Sequence, residues 1–494
     1  MQLPFGEWLP DQPDHLNPGA TVATNVYHAQ SSYKPVKGLV AYSGASNVTQ
    51  NANGAGSFRD NTNTVFTFVG TKDNIYKLTS GTFASVKGSL TISGGDTDYF
   101  TFTQFGQYVV ASNGVNPPMY YLMGTSSNFA TLQSLVTSSG SGTVPAKFKV
   151  SGVIRDFLVT GNIENAKNRV AWSGINDIST WEAGVSSSDT QDLPGSGGQV
   201  VAITSGEVGY VFREDQIIRL DFVGGNVVFR FSVISPNRGA VYGQTVCQDN
   251  RQVFFYASDG FFQINGDQIL PIGAEKVNRF FDGDLNKAYT DRITAAVDPF
   301  NTLAIWLYPS KDNPNTTGVC DKLLIYNYVT QKWSVAKVKA SQIFKQFVVA
   351  NTVELMDIIS ENLEDINISL DTAFWTTGHL YLGAIDENFK AAIFSGKTLE
   401  AELETKEQEI FPGLRANVTG IRPIVDASAN VTIKTRDKLA DTVTTSASSS
   451  MNDTGINPVR QSGRYFRANV KIPAESIWNN AQGIDLTASH GGSR

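Results

Sequence analysis

Four histidines, His15, His28, His379 and His490, are scattered over a chain of 494 residues. A transition-metal site needs such ligands at short repeated spacing, or a Cys pair beside them. Neither pattern occurs, so each histidine reads as a structural or surface residue. Cys247 and Cys320 are the only cysteines and each adjoins a strand-like run. They read as small buried thiols of a protein that folds in a reducing compartment. Gly195-Ser-Gly-Gly198 is Gly-rich, but no Lys or Ser/Thr follows in phosphate-loop register, which leaves a plain turn. Asp96 with Asp98, Asp282 with Asp284, and Glu364 with Asp365 are the closest carboxylate pairs. A glycosidase needs two carboxylates of opposed role across a cleft; these lie in loops or on a polar helix face and read as solvated. A sialidase would add an Arg cluster and Ser-x-Asp-x-Gly-x-x-Trp boxes, and Ser258-Asp259-Gly260 lacks that spacing. The densest basic group is Arg460, Arg464, Arg467 and Lys471, beside Tyr465 and Phe466. It has the composition of a phosphate contact, but ordinary alternation along a strand explains it better. No catalytic, cofactor-binding or metal-binding residue is assigned, and the chain is expected not to be an enzyme.

Composition limits what must position these residues. Charged residues are 17%, apolar residues 41% and aromatics 11%, with 44 Gly and a formal net charge of −7. That apolar content buries a core, which excludes disorder, and the balance of charge excludes a basic coat for nucleic acid. Met1-Gln2-Leu3-Pro4-Phe5-Gly6-Glu7-Trp8 has neither the basic nor the apolar region of a signal peptide. No window approaches the ~18 apolar residues of a membrane-spanning helix.

Strand-like runs recur between Gly/Asn/Ser-rich loops at 44–64, 124–145, 185–198 and 439–457. Thr64–Val69 with Asp73–Leu78, Gly209–Phe212 with Asp215–Leu220, and Val253–Ala257 with Asp259–Ile264 are the clearest pairs. Asp and Asn beside Gly or Asn make good hairpin corners because they tolerate positive φ. The corners recur at intervals of 43 to 62 residues. Units of ~40–50 residues built from about four strands are blades of a β-propeller. The expected fold is therefore all-β: a β-propeller of six or seven blades with loop insertions, an extended N-terminal arm and a C-terminal β module. The expected bounds are 1–63 for arm and entry strands, 64–400 for the propeller and 401–494 for the C-terminal module. Apolar residues at 355, 358, 359, 363 and 366 predict one short helix over 352–366. The arm, broken by Pro4, Pro10, Pro13, Pro18 and Pro35, is expected to reach a neighbouring subunit.

The central stretch carries a resemblance. Val153-Ile-Arg-Asp-Phe-Leu-Val-Thr-Gly161 precedes Asn168-Arg-Val-Ala-Trp-Ser-Gly-Ile-Asn-Asp-Ile-Ser-Thr-Trp181. Gly198–Ile203, Tyr210–Leu220, Asn237–Ala240, Phe255–Phe262 and Ile272-Gly273 follow in order. This order resembles the packaged-DNA stabilisation protein, the tail hub or nozzle, of P22-like short-tailed bacteriophages. Trp8–Asp11, Asn25-Val26, Tyr33–Pro35, Leu363–Asp371 and Phe374-Trp375 resemble the same family. The resemblance implies a structural virion protein made in the host cytoplasm and carried in the tail. It implies a homo-oligomer, a hexameric ring below the portal and its adaptor ring, with a tail needle or plug and fibres or tailspikes as further partners. Double-stranded DNA would pass through without sequence-specific binding, and no cofactor is implied. The alternatives are a carbohydrate-binding propeller using Trp172, Trp181, Trp306 or Trp333, and a propeller glycoside hydrolase.

Overall fold

The computed structural model describes residues 1–348, except 16, 43–45, 80, 226, 251 and 314–318, together with residues 379–491. At 346–348 and 379–381 the description is of the backbone. The helix expected over 352–366 therefore lies outside the described residues, as do Leu363–Asp371 and Phe374-Trp375.

Four-stranded antiparallel sheets follow one another along the chain. Ala55–Arg59, Val65–Gly70, Ile75–Thr79 and Thr82–Ser85 form blade 1. Blade 2 spans Thr101–Phe105 to Ala130–Thr131, and blade 3 runs from Phe148–Ile154 to Asp189–Asp192. Blade 4 spans Val200–Ile203 to Phe229–Ser235, and blade 5 Cys247–Asp249 to Gln268–Pro271. Blade 6 begins at Thr294–Asp298 and ends on the first half of the long strand Lys332–Val348. A register shift between Ala340 and Gln342 bends that strand inward. Its second half becomes the first strand of blade 7, followed by His379–Asp386 and Ala391–Ile393. Val40–Ala41, from the N-terminal segment, is the outer strand of blade 7. The chain thus closes its propeller by bringing its beginning to its last blade.

Seven apolar clusters fill the seven junctions. Phe68, Phe100 and Tyr121 pack between blades 1 and 2; Val110, Phe148 and Leu158 between 2 and 3. Phe157, Trp172 and Phe229 join 3 to 4, and Phe212 with Phe255 joins 4 to 5. Phe261, Trp306 and Trp333 lie between 5 and 6, and Ile305, Leu323 and Ile343 between 6 and 7. Phe344 and Ile385 meet Val69 and Tyr76 at the last junction, between blades 7 and 1. This explains why the second strand of a blade is almost uniformly apolar, as in Val65–Gly70 and Leu303–Tyr308. It is covered on both faces, so alternation disappears. Outer strands such as Asp189–Asp192 and Gln268–Pro271 are short and exposed, the first carrying acidic side chains and the second ending in Pro, which blunts the unpaired edge.

Hairpin corners are locked by Asp and Asn side chains. Asp60 accepts from the amides of Thr62 and Thr64, both at 2.8 Å, and Asn327 from those of Val329 and Thr330 at 3.0 and 2.9 Å. Such local bonds satisfy turn amides that no ladder can reach. Two α-helices among the described residues escaped the sequence: Asn278–Asp284, and Leu132–Ser139 within a stretch read as a loop. The buried Leu132 and Val136 of the latter dock on the junction of blades 2 and 3. At eight residues its apolar stripe is too short to stand out, and tertiary packing supplies the stability that propensity does not.

The C-terminal strands build a sandwich against the outer edge of blade 6. One sheet holds Val26–Ala29, Ser32–Pro35, Ala481–His490, Ala416–Val425 and Asn457–Gly463, and Gln2–Pro4 pairs with Ala481–His490. The other holds Val22–Thr24, Ala401–Glu404, Tyr465–Ile472 and Asn430–Arg436. Thr24 pairs in parallel with Val335, which joins the sandwich to blade 6. The core is continuous across that seam, from Trp306 and Trp333 to Val431, Val470 and Ile484. The N-terminal segment is therefore not a free arm. Leu3, Phe5 and Trp8 are buried within its own chain, because these apolar side chains find a groove between the two units.

Candidate functional site

The structure separates the residues whose chemistry drew attention. His15 lies beside Glu407 and meets the Tyr465 ring edge-on. His490 ends a sandwich strand against Phe411, and His379 is placed only through its backbone pairing with Val348. Among the described residues no three His, Cys, Asp or Glu side chains converge as metal ligands. Cys247 and Cys320 are buried and unpaired. Burial raises both thiols, Cys247 to about 12, so neither presents a thiolate.

The carboxylates are committed to separate partners. Asp282 faces Lys287 at 2.7 Å, while Asp284 takes Lys322 at 2.8 Å and the Tyr308 hydroxyl at 2.8 Å. Asp98 accepts from the amide of Gly95, and Asp96 lies 4.0 Å from Lys72. Asp259 holds Arg238 through three hydrogen bonds of 2.6 to 3.1 Å. Glu364 and Asp365 lie outside the described residues.

The Gly-rich turn 195–198 is ordered by a cation. Arg213, buried, donates to the carbonyls of Gly198, Pro194 and Gly195 at 2.9, 2.8 and 3.2 Å, and to Gln216 Oε1 at 2.8 Å. A phosphate cradle turns N–H groups toward an anion. This turn points carbonyls at a guanidinium, which is the opposite polarity.

The basic group near the C-terminus is divided by the strand pleat. Arg460 is exposed, whereas Phe466 and Arg467 are buried. Arg467 lies 3.0 Å from Asp14, 3.6 Å from Glu404 and 3.7 Å from Glu407. Lys434 meets Glu404 at 2.5 Å, and Arg436 forks onto both oxygens of Glu407. Lys471 lies 4.0 Å from Glu400 and from Glu402. This is a mutually neutralised network inside the sandwich, and Arg467 offers no face to a phosphate. Its acidic partners at 404 and 407 sit 63 and 60 residues away in sequence and carried no local signal.

His28 sits against a cation. It is buried, its Nε2 accepts from Lys332 at 3.0 Å, and Tyr33 meets its ring at 5.2 Å. Burial first, and the Lys332 charge second, push its pKa down to about 4. The unfolded chain protonates this group near 6.5, so between pH 6.5 and 4 the unfolded state binds the extra proton. The contribution of His28 is intact above pH 6.5 and is lost as pH falls toward 4, a decline on the order of 2 kcal/mol. His28→Asn flattens that limb of the stability profile. Urea melts of both chains at pH 7 and 4.5 measure the difference, and equal slopes refute the assignment.

The four tryptophans proposed for sugar stacking are all core residues. Trp306 and Trp333 are fully buried, and their indole N–H groups donate to the carbonyls of Thr245 and Ile272 at 2.9 and 2.8 Å. Trp172 and Trp181 likewise donate to Ser187 and Ile178 carbonyls at 2.8 Å. None presents a face to a ligand, because strand aromatics pack at the blade junctions.

What remains is the propeller axis. The first strands of all seven blades line a cavity of about 700 Å³. Its walls are mostly uncharged: Thr103 and Ser151 share a hydrogen bond of 2.9 Å, and Gln248 bonds both backbone groups of Ser205. Lys345 donates to the Gln248 carbonyl at 2.5 Å, and burial lowers its pKa against the opposing pull of Asp249. The axis thus offers neutral hydrogen-bonding groups and one tethered cation. At the face where the first strands begin, loops of blades 1, 6 and 7 and the segment entering blade 2 enclose a second, polar pocket of about 440 Å³.

No family model matches this chain, and no curated protein matches it. Several solved structures are similar in outline. The extracellular domain of a hybrid two-component system protein from B. thetaiotaomicron is 10% identical, with a TM-score of 0.41, over 78% of this chain and 44% of that one. This chain thus spans less than half the length of that domain. A chain of the mitotic checkpoint complex is 10% identical, with a TM-score of 0.37, over 74% of this chain and 93% of its own. BBS1N, solved in complex with ARL6DN, is 8% identical, with a TM-score of 0.40, over 76% of this chain and 99% of that one.

Proposed function

We propose that this chain is a structural subunit of a short-tailed bacteriophage tail, a nozzle or hub that assembles as a hexameric ring below the portal and its adaptor. The observation that carries the reading is the order of residues from Val153 to Gly273 that resembles that family. Most of these residues lie in the inner and middle strands of blades 3 to 5, while Asn237–Ala240 and Ile272-Gly273 lie in the connections that follow blades 4 and 5. A propeller whose core runs without a break into a sandwich is stiff, which suits a channel wall under load. Asp259, Asp282 and Asp284, paired with neighbouring cations, serve packing rather than chemistry. Six copies at −7 each carry a formal charge of −42, and like charge favours passage of DNA over retention on the wall. A needle or plug would then hold the genome, and fibres or tailspikes would dock outside.

The test is assembly. The purified chain is expected to elute as a monomer and to form a ring when mixed with the adaptor complex of its phage, measured by light scattering and electron microscopy. Absence of any such complex, together with absence of the chain from the tails of imaged particles, rejects the reading.

A further inference from the structure

The polar pocket at the propeller face is built from five separate segments. Gln50 and Asn51 precede blade 1, Lys72 sits in a blade 1 turn, and Asp96 with Thr97 leads into blade 2. Tyr289 to Arg292 lead into blade 6, and Phe389 lies in the blade 7 turn. All come from the face where the innermost strands start, so the blade framework fixes their spacing.

The positions are held by strained or buried groups. Phe389 has φ +62°, a left-handed conformation costly for an aromatic residue. Asp386 maintains it by accepting from the amides of Asn388 and Lys390, both at 2.8 Å. Tyr289, at φ −131° and ψ 37°, interrupts the turn Lys287–Arg292. Arg292 is buried and reaches across to Asn53 Oδ1 at 3.0 Å. The Oε1 of Gln50 is buried and has no donor among the described residues, while its Nε2 is given to Asp73 at 3.1 Å. A buried acceptor without a donor is uncommon and marks a place for a donor that the chain does not supply.

The lining selects a ligand class. Two cations, Lys72 and Arg292, are matched by two carboxylates, Asp96 and Asp291, at 4.0 and 3.5 Å. A site so balanced gives no net attraction to an anion or a cation. It offers donors and acceptors side by side, with Tyr289 and Phe389 as apolar surfaces. Hydroxyl groups both donate and accept, and a pyranose adds C–H faces that rest on aromatic rings. The volume falls within the range of small-molecule sites. We infer that this pocket binds a neutral saccharide of about one or two rings. The inference is independent of the tail assembly and uses none of the buried tryptophans.

Saturation-transfer NMR of the full chain with maltose, cellobiose, lactose and chitobiose tests it. Transfer is expected to at least one sugar, and affinity for that sugar is expected to fall at least tenfold in Thr97→Trp, which fills the mouth, and in Asp96→Ala, on the exposed rim. Thermal melts of both variants are expected to match the parent chain, since neither side chain is part of the core. No transfer to any of the four sugars overturns the inference. So does transfer that survives Thr97→Trp, because the sugar would then sit elsewhere.

Discussion

Removal of residues 1–8 lowers the unfolding free energy by about 5–9 kcal/mol, the loss of three buried large side chains at ~1.5–3 kcal/mol each. Leu3, Phe5 and Trp8 are 8%, 6% and 3% exposed. Trp8 packs edge-on against Phe280 at 4.9 Å, and Gln2–Pro4 extends the sandwich sheet along Ala481–His490. The amide of Phe5 donates to Gln482 at 2.8 Å, and Lys276 bonds Glu7 at 2.6 Å. A loss of this size rivals the whole stability of many domains, so the truncated chain is expected to aggregate or to unfold at much lower urea. Trp8→Ala gives a milder version, about 3–5 kcal/mol, in case the truncation yields no soluble protein. An arm reserved for a neighbouring subunit would leave the monomer unaffected by both changes. Unchanged urea midpoints would therefore return the segment to that role.

Glu407→Ala costs on the order of 3 kcal/mol, because it takes from the half-buried Arg436 its forked carboxylate and from the buried Arg467 one of three acidic neighbours. Glu407 is 3% exposed by its side chain, Arg436 13% and Arg467 9%. Arg436 forks onto Glu407, a geometry that lysine cannot reproduce. Paired replacement, Glu407→Leu with Arg436→Met, is expected to cost well under the sum of the single changes, with a coupling of about 1–3 kcal/mol. The surface pair Lys397–Glu475, 65% and 64% exposed, supplies the contrast. Breaking it is expected to cost under about 1 kcal/mol, an effect that added salt erases. Urea unfolding of six chains in low and high salt measures all of this: the parent, Glu407→Ala, Glu407→Leu, Arg436→Met, the Glu407→Leu/Arg436→Met double and Glu475→Ala. Simple additivity at the buried pair would show that Glu407 and Arg436 do not act as a unit.

Residue by residue, different features were legible in the sequence for different reasons. Runs such as Val65–Gly70 and Gly209–Phe212 announce strands because burial on both faces demands β-branched and aromatic residues. Their corners announce themselves because turn amides need Asp or Asn side chains. The recurrence of both made the propeller readable, and the strand pairing settles the blade count at seven. The outer strand of blade 7 was harder to read. It is Val40–Ala41, a strand of two residues from the opposite end of the chain. No local pattern encodes a pairing over that separation.

The polar residues divide along the same line. Sequence spacing speaks against a metal cluster or a nucleotide loop, since those chemistries require local motifs. Which charges meet was beyond it. Arg467 looks like part of a basic patch until the fold sets it beside Asp14, Glu404 and Glu407. Tyr289, Phe389 and Asp96 carry no motif, and only the convergence of five loops places them around one pocket. By itself the sequence determined strand content, turn chemistry and a repeating unit, because these depend on neighbours along the chain. The tertiary structure decided ring closure, the fate of the N-terminal segment, the buried ion network and the pocket. Each of those joins residues that only burial of apolar surface, which is blind to sequence distance, brings together.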